Sequence, residues 1–127
     1  MKMEEITNKW ENPILLKIDD WKDNFNFLRV MDEYAYEIHS RMLYTIDYAF
    51  NTNNNEEIVI AYINDEETVL GVNKNDWLKN LEKSLNYFEE IEDYEKCQEV
   101  QQLINKTVSS SFIYAITISS LLLVLKA

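Results

Sequence analysis

The sequence predicts a predominantly helical α+β domain with an apolar C-terminal segment. Three observations carry this. Apolar residues recur at steps of three and four over two long stretches. Two short β-branched runs lie between those stretches, separated by an acidic turn. The last stretch before the C-terminus, residues 108–125, carries no charge at all.

Trp21, Phe25, Leu28, Met31, Ala35, Ile38, Met42, Ile46 and Ala49 form one continuous stripe. At helical spacing this reads as a single amphipathic helix of about 30 residues. Phe27, Tyr34 and Tyr48 widen it into an aromatic face. No proline or glycine interrupts it, so at most a gentle bend is expected. Asp19 and Asp20 suit its N-terminus, where free N–H groups welcome carboxylates. The Asn51–Asn55 run ends the helix in an exposed loop.

The period then changes. Ile58–Ile63 and Thr68–Val72 are rich in β-branched residues and flank Asn64-Asp65-Glu66-Glu67, which predicts a β-hairpin with Gly71 near its end. A two-stranded ribbon is marginal alone, and Ile14–Ile18, after the single proline Pro13, is the candidate third strand.

Asn73 or Asn75 is placed to cap the next helix, with stripe Leu78, Leu81, Leu85, Phe88 and Ile91. Glu92-Asp93 interrupts the pattern, and Tyr94, Cys97, Val100 and Ile104 resume it. An antiparallel helical hairpin with Asp93 as the second N-cap is the leading reading; one continuous helix is the alternative.

Residues 1–107 hold 11 basic and 23 acidic side chains, so an acidic interaction domain over 1–107 and an apolar segment over 108–127 are expected. Phe112, Ile113, Ile116, Leu121, Leu122, Leu123 and Leu125 are the residues that would face lipid. Eighteen helical residues span about 27 Å, close to the thickness of a hydrocarbon core. Six of those eighteen are Ser or Thr, which suits a helix packed on protein as well. Membrane anchor, core element and frameshifted end all stay open. The N-terminus lacks a basic region followed by an apolar run, so no signal peptide is expected and the cytosol is the default compartment.

Much is excluded. One cysteine forbids an internal disulfide, and with one histidine it makes a zinc site implausible. One glycine leaves no material for a P-loop or dinucleotide fingerprint. A net charge of −11 opposes binding to a phosphate backbone. The loop from Asn51 does not match a calcium loop, because its sixth and twelfth positions are Glu56 and Tyr62. His39 has no carboxylate at helical spacing to orient it. Cys97 lies among acids that oppose a thiolate. No catalytic residue, metal or cofactor is therefore expected.

Glu89, Glu90, Glu92, Asp93, Glu95 and Glu99 cluster at the helical corner. They read either as a solvated face or as a docking surface for another protein, most naturally a basic one. The segment Leu81–Ile104, LEKSLNYFEEIEDYEKCQEVQQLI, resembles UVR-type helical hairpins and those of small phage or mobile-element proteins. That resemblance implies a protein-docking hairpin without catalytic residues; an immunity, anti-defence or virion-assembly role is the context that fits a small acidic protein of a phage or mobile element. The expected function is a non-enzymatic interaction module. A tail-anchored membrane adaptor and a nucleic-acid mimic that blocks a DNA- or RNA-binding enzyme are the alternatives.

Overall fold

The computed structural model describes residues 9–20, 22–54, 56–65 and 68–126, with side chains described as far as Ser110. The chain is α+β: β1 (Ile14–Leu16), α1 (Asn24–Glu33), α2 (Ala35–Thr52), β2 (Ile58–Ile63), β3 (Thr68–Val72), α3 (Trp77–Glu90) and α4 (Tyr94–Lys126). A single 3-10 turn, Lys74–Asp76, leads into α3. Two compact units divide it, residues 1–80 and 81–127.

The first unit is built on a three-stranded sheet of order β1-β2-β3. The β2–β3 hairpin is antiparallel with Ile63 opposite Thr68, as the period change predicts. β1 is the third strand and runs parallel to β2, with Ile14 opposite Ala61 and Leu16 opposite Ile63. A parallel pair needs a crossover, and α1 with α2 supplies it.

A β-bulge at Ile60 shifts the register between Val59 and Ala61. An unbroken strand buries every second residue. The extra residue resets that phase, so Ile58 and Ile60 before it and Ala61 and Ile63 after it are all buried. Gly71 pairs with Val59 beside the bulge. A Cβ there would run into the carboxylate of Glu57. The only glycine of the chain thus leaves room for one acidic side chain.

The expected single long helix is two helices. The break falls at Tyr34, whose torsions are φ −105° and ψ 22°. Hydrogen bonds bracket it, Tyr34 N–H to Val30 O at 3.0 Å and Ile38 N–H to Tyr34 O at 2.9 Å. The cause is tertiary, since no local breaker is present. In α1, Val30 with Phe27 and Met31 packs on the cluster of Leu16, Ile18, Ala61 and Ile63. In α2, a broader face buries Ile38, Met42, Leu43, Ile46 and Ala49, and α2 lies against β2 and β1. The stripe is correct through α2, but Phe25 and Leu28 are 74% and 63% exposed, so its phase in α1 is corrected to 27, 30 and 31; of the aromatic face only Phe27 is covered, Tyr34 and Tyr48 being exposed, and Trp21 lies outside the described residues. The N-cap is also corrected: Asp23, not Asp19 or Asp20, accepts from Phe25 N–H at 2.9 Å.

α2 ends as the asparagine run predicts. Asn53 takes the left-handed conformation at φ 58°, and Asn54 N–H donates to Ala49 O at 2.9 Å. This six-to-one bond is the signature of a Schellman stop.

The second unit contains the rest of α3 and all of α4. They form two helices, as the hairpin reading has it, joined by Ile91–Asp93. Another Schellman stop ends α3: Asp93 N–H donates to Phe88 O at 2.9 Å and Glu92 N–H to Glu89 O at 3.1 Å. Glu92 occupies the left-handed position at φ 59°. Asp93 then caps α4, its Oδ1 accepting from Lys96 N–H at 3.2 Å. Leu81, Ser84, Phe88, Val100, Leu103 and Ile104 are buried. α4 continues without interruption to Lys126, about 50 Å in all. Among the described residues no helix is long and apolar enough to cross a membrane. Phe112, Ile113, Ile116, Leu121, Leu122, Leu123 and Leu125 lie outside the residues whose side chains are described.

Candidate functional site

Two places hold the side chains with chemistry. The first is the turn between α3 and α4. Glu89, Glu90, Glu92, Glu95 and Glu99 are exposed there, and Asp93 is half-buried. The Schellman stop and the Asp93 cap end one helix and start the next within three residues, so carboxylates of both helix ends lie close along the chain. Asp93 is held by its capping bond. Glu99 pairs with Lys96 at 3.5 Å, an exposed contact of small energetic weight. Glu89, Glu90, Glu92 and Glu95 have no ion pair recorded among the described residues.

The same turn exposes two large apolar side chains, Ile91 at 44% and Tyr94 at 69%. Spacing predicts Ile91 and Tyr94 on the apolar stripes, but both face solvent: Ile91 lies in the link, one residue past the end of α3, and Tyr94 is the first residue of α4. The Ile91 N–H still bonds Tyr87 O at 3.2 Å, but the chain is already leaving the helix. The signal for an apolar pair at the tip was present in the sequence as Ile91 and Tyr94 flanking Glu92-Asp93.

Cys97 is half-buried on the first turn of α4. Burial, reinforced by the carboxylates of Glu89 and Asp93, pushes its thiol up from the ordinary value. A thiolate nucleophile needs the opposite environment. His39 is half-buried on α2. No group of three or more His, Cys, Asp or Glu is arranged to hold a metal ion among the described residues.

The second place was not legible in the sequence. A cleft of about 550 Å³ opens in the first unit, lined by Glu11, Arg41, Tyr44, Thr45, Tyr48, Asn54, Glu57 and neighbouring apolar residues. Arg41, on α2, is only 6% exposed. Its Nη2 donates to Val59 O at 2.7 Å and its Nη1 to Trp10 O. Its Nε has no hydrogen-bond partner. No described carboxylate lies within ion-pair distance of it. Burial lowers its pKa from the ordinary value, opposed by Tyr44 and then Tyr62, yet a guanidinium keeps its proton in proteins. Tyr44 and Tyr48 stack at 6.4 Å between ring centroids, 17° from parallel.

Comparison with protein-family models, with characterised proteins and with solved structures gives no match for this chain.

Proposed function

We propose that this chain is a non-enzymatic interaction protein that docks a basic protein partner through the turn between α3 and α4. The observation that supports it is the exposure of Ile91 and Tyr94 next in the chain to the exposed Glu89, Glu90, Glu92 and Glu95. A docking surface combines both: the apolar pair supplies desolvated contact area, and the acidic rim steers a complementary partner and fixes its register. Asp93 and Glu99 would belong to the rim, with Asp93 holding the turn's shape through its cap.

The test places a photo-crosslinking residue at Tyr94 and identifies what it captures in cells. The captured protein, purified, should bind full-length chain, and Ile91→Ala with Tyr94→Ala should weaken binding at least about tenfold. Its association rate should fall as salt rises. A partner indifferent to both variants and to salt would sink the proposal.

A second reading rests on α4. This helix is more than twice as long as α3, at 33 residues against 14, and its last part carries the uncharged segment 108–125. That continuity supports a tail-anchored adaptor, in which the hairpin would stand at the membrane surface. Carbonate extraction of the full-length protein separates the two readings.

A further inference from the structure

The cleft over Arg41 has a recognisable chemical demand. A guanidinium is a rigid fork of five donors. Here the two bonds it makes go to neutral main-chain carbonyls, those of Val59 and Trp10, so its charge meets no anion among the described residues. Its Nε–H has no partner and is closed off from solvent, so a ligand in the cleft would answer the charge of the fork rather than that bond. Asn54 adds polar capacity, since its Oδ1 is taken by Glu56 N–H at 2.9 Å and its amide donors remain. A purely anionic ligand would nonetheless meet Glu11 and Glu57, which line the same cleft. Glu57 is set there by a specific feature, the missing Cβ of Gly71. The Tyr44–Tyr48 stack offers ring faces beside these charges.

From these residues we infer that the cleft binds a small zwitterion of the α-amino-acid class. The ligand's carboxylate would pair with the Arg41 charge, its ammonium would sit with Glu57 and Glu11, and its side chain would lie on Tyr44 and Tyr48. The volume accommodates a free amino acid with room for its side chain. One ligand thereby answers the unpaired cation, the two carboxylates and the aromatic faces, which neither a simple anion nor a simple cation does. The inference is independent of the docking turn.

The experiment titrates the full-length, 15N-labelled protein with each of the twenty protein amino acids in turn. At least one should give saturable shifts of the amides of Tyr48, Asn54 and Val59. Its decarboxylated amine and its des-amino acid should each bind at least about tenfold more weakly, the usual scale for losing one charge pair. Glu57→Gln and Tyr48→Ala, both at exposed side chains, should each weaken binding with the melting curve preserved. Gly71→Ala, which displaces the Glu57 carboxylate, should do the same. The proposal fails if no amino acid shifts those amides saturably. It also fails if the amine or the acid alone binds as tightly as the zwitterion, or if Glu57→Gln leaves affinity unchanged.

Discussion

The side chain of Asn64 completes both main-chain groups of Ile18. Its Oδ1 accepts from Ile18 N–H at 2.9 Å and its Nδ2 donates to Ile18 O at 3.0 Å. The Asn64 N–H meanwhile donates to Leu16 O at 2.8 Å. One asparagine amide thus prolongs the parallel β1–β2 ladder by two residues beyond the last strand pair, Leu16 with Ile63. It also stands in the left-handed conformation at φ 54°, which asparagine tolerates better than most residues. Replacing Asn64 with Gly keeps the backbone comfortable but orphans both Ile18 groups, for an expected cost of about 2 kcal/mol. Asn64→Ala should cost about 1 kcal/mol more, the added strain of a Cβ in that conformation. Urea denaturation of the two variants separates the contributions.

Adjacent residues at the α3–α4 turn should respond in opposite directions. Among the described residues, Glu92 is the one of the five with positive φ that is neither Asn nor Asp. Glu92→Gly should stabilise the chain by about 0.5–1 kcal/mol, relief of strain outweighing the freer unfolded chain. Asp93→Ala should destabilise it by about 1 kcal/mol through the lost N-cap. Thermal melts of the pair check this, with Glu92→Gln as the control for charge alone.

Cys97 should be a slow thiol. With its pKa raised by burial, Glu89 and Asp93, a smaller fraction is thiolate at any given pH than in a free cysteine. Its alkylation by iodoacetamide near pH 8 should therefore lag behind a model peptide, and the rate should keep rising above the pH at which the peptide levels off. Glu89→Gln should bring the profile partly back toward lower pH.

The interruption at Tyr34 makes a prediction about phase. Phe25→Asp and Leu28→Asp should change stability by less than about 0.5 kcal/mol, because both side chains already face water. Val30→Asp and Ile38→Asp should unfold the chain, because each buries an unpaired carboxylate. Circular dichroism melts rank the four.

Arg41 can be weighed by removal. Arg41→Ala takes away the groups bonded to Val59 O and Trp10 O and empties a buried volume, for an expected loss of about 2–4 kcal/mol in chemical denaturation.

What was legible in the residues follows distance along the chain. The limits of β2 and β3, the stop at Asn53 and the helix break at Glu92-Asp93 all depend on neighbours within a few positions, and period and turn chemistry report those. The break at Tyr34 does not, because nothing in Glu33-Tyr34-Ala35 forbids a helix; the sheet decides it. Arg41 was hidden for the same reason. A lone arginine beside an apolar stripe reads as solvent-facing, and only the bulge at Ile60 and the placement of Trp10 bring two carbonyls to it. The acidic cluster was visible as composition, whereas the exposure of Ile91 required knowing that α3 ends one residue earlier than its stripe.

The parallel β1–β2 pair also orders events in time. Ile14 and Ala61 are 47 positions apart in the chain, whereas Ile63 and Thr68 are five apart. Closing the longer loop costs about 2 kcal/mol more in chain entropy. The β2–β3 and α3–α4 turns should therefore close early, with β1 arriving after the main barrier is crossed. The Asn64–Ile18 latch would then be absent from the transition state. Its loss should appear almost wholly as faster unfolding, with the refolding rate unchanged, so that one amide sets how long the sheet lives rather than how quickly it forms.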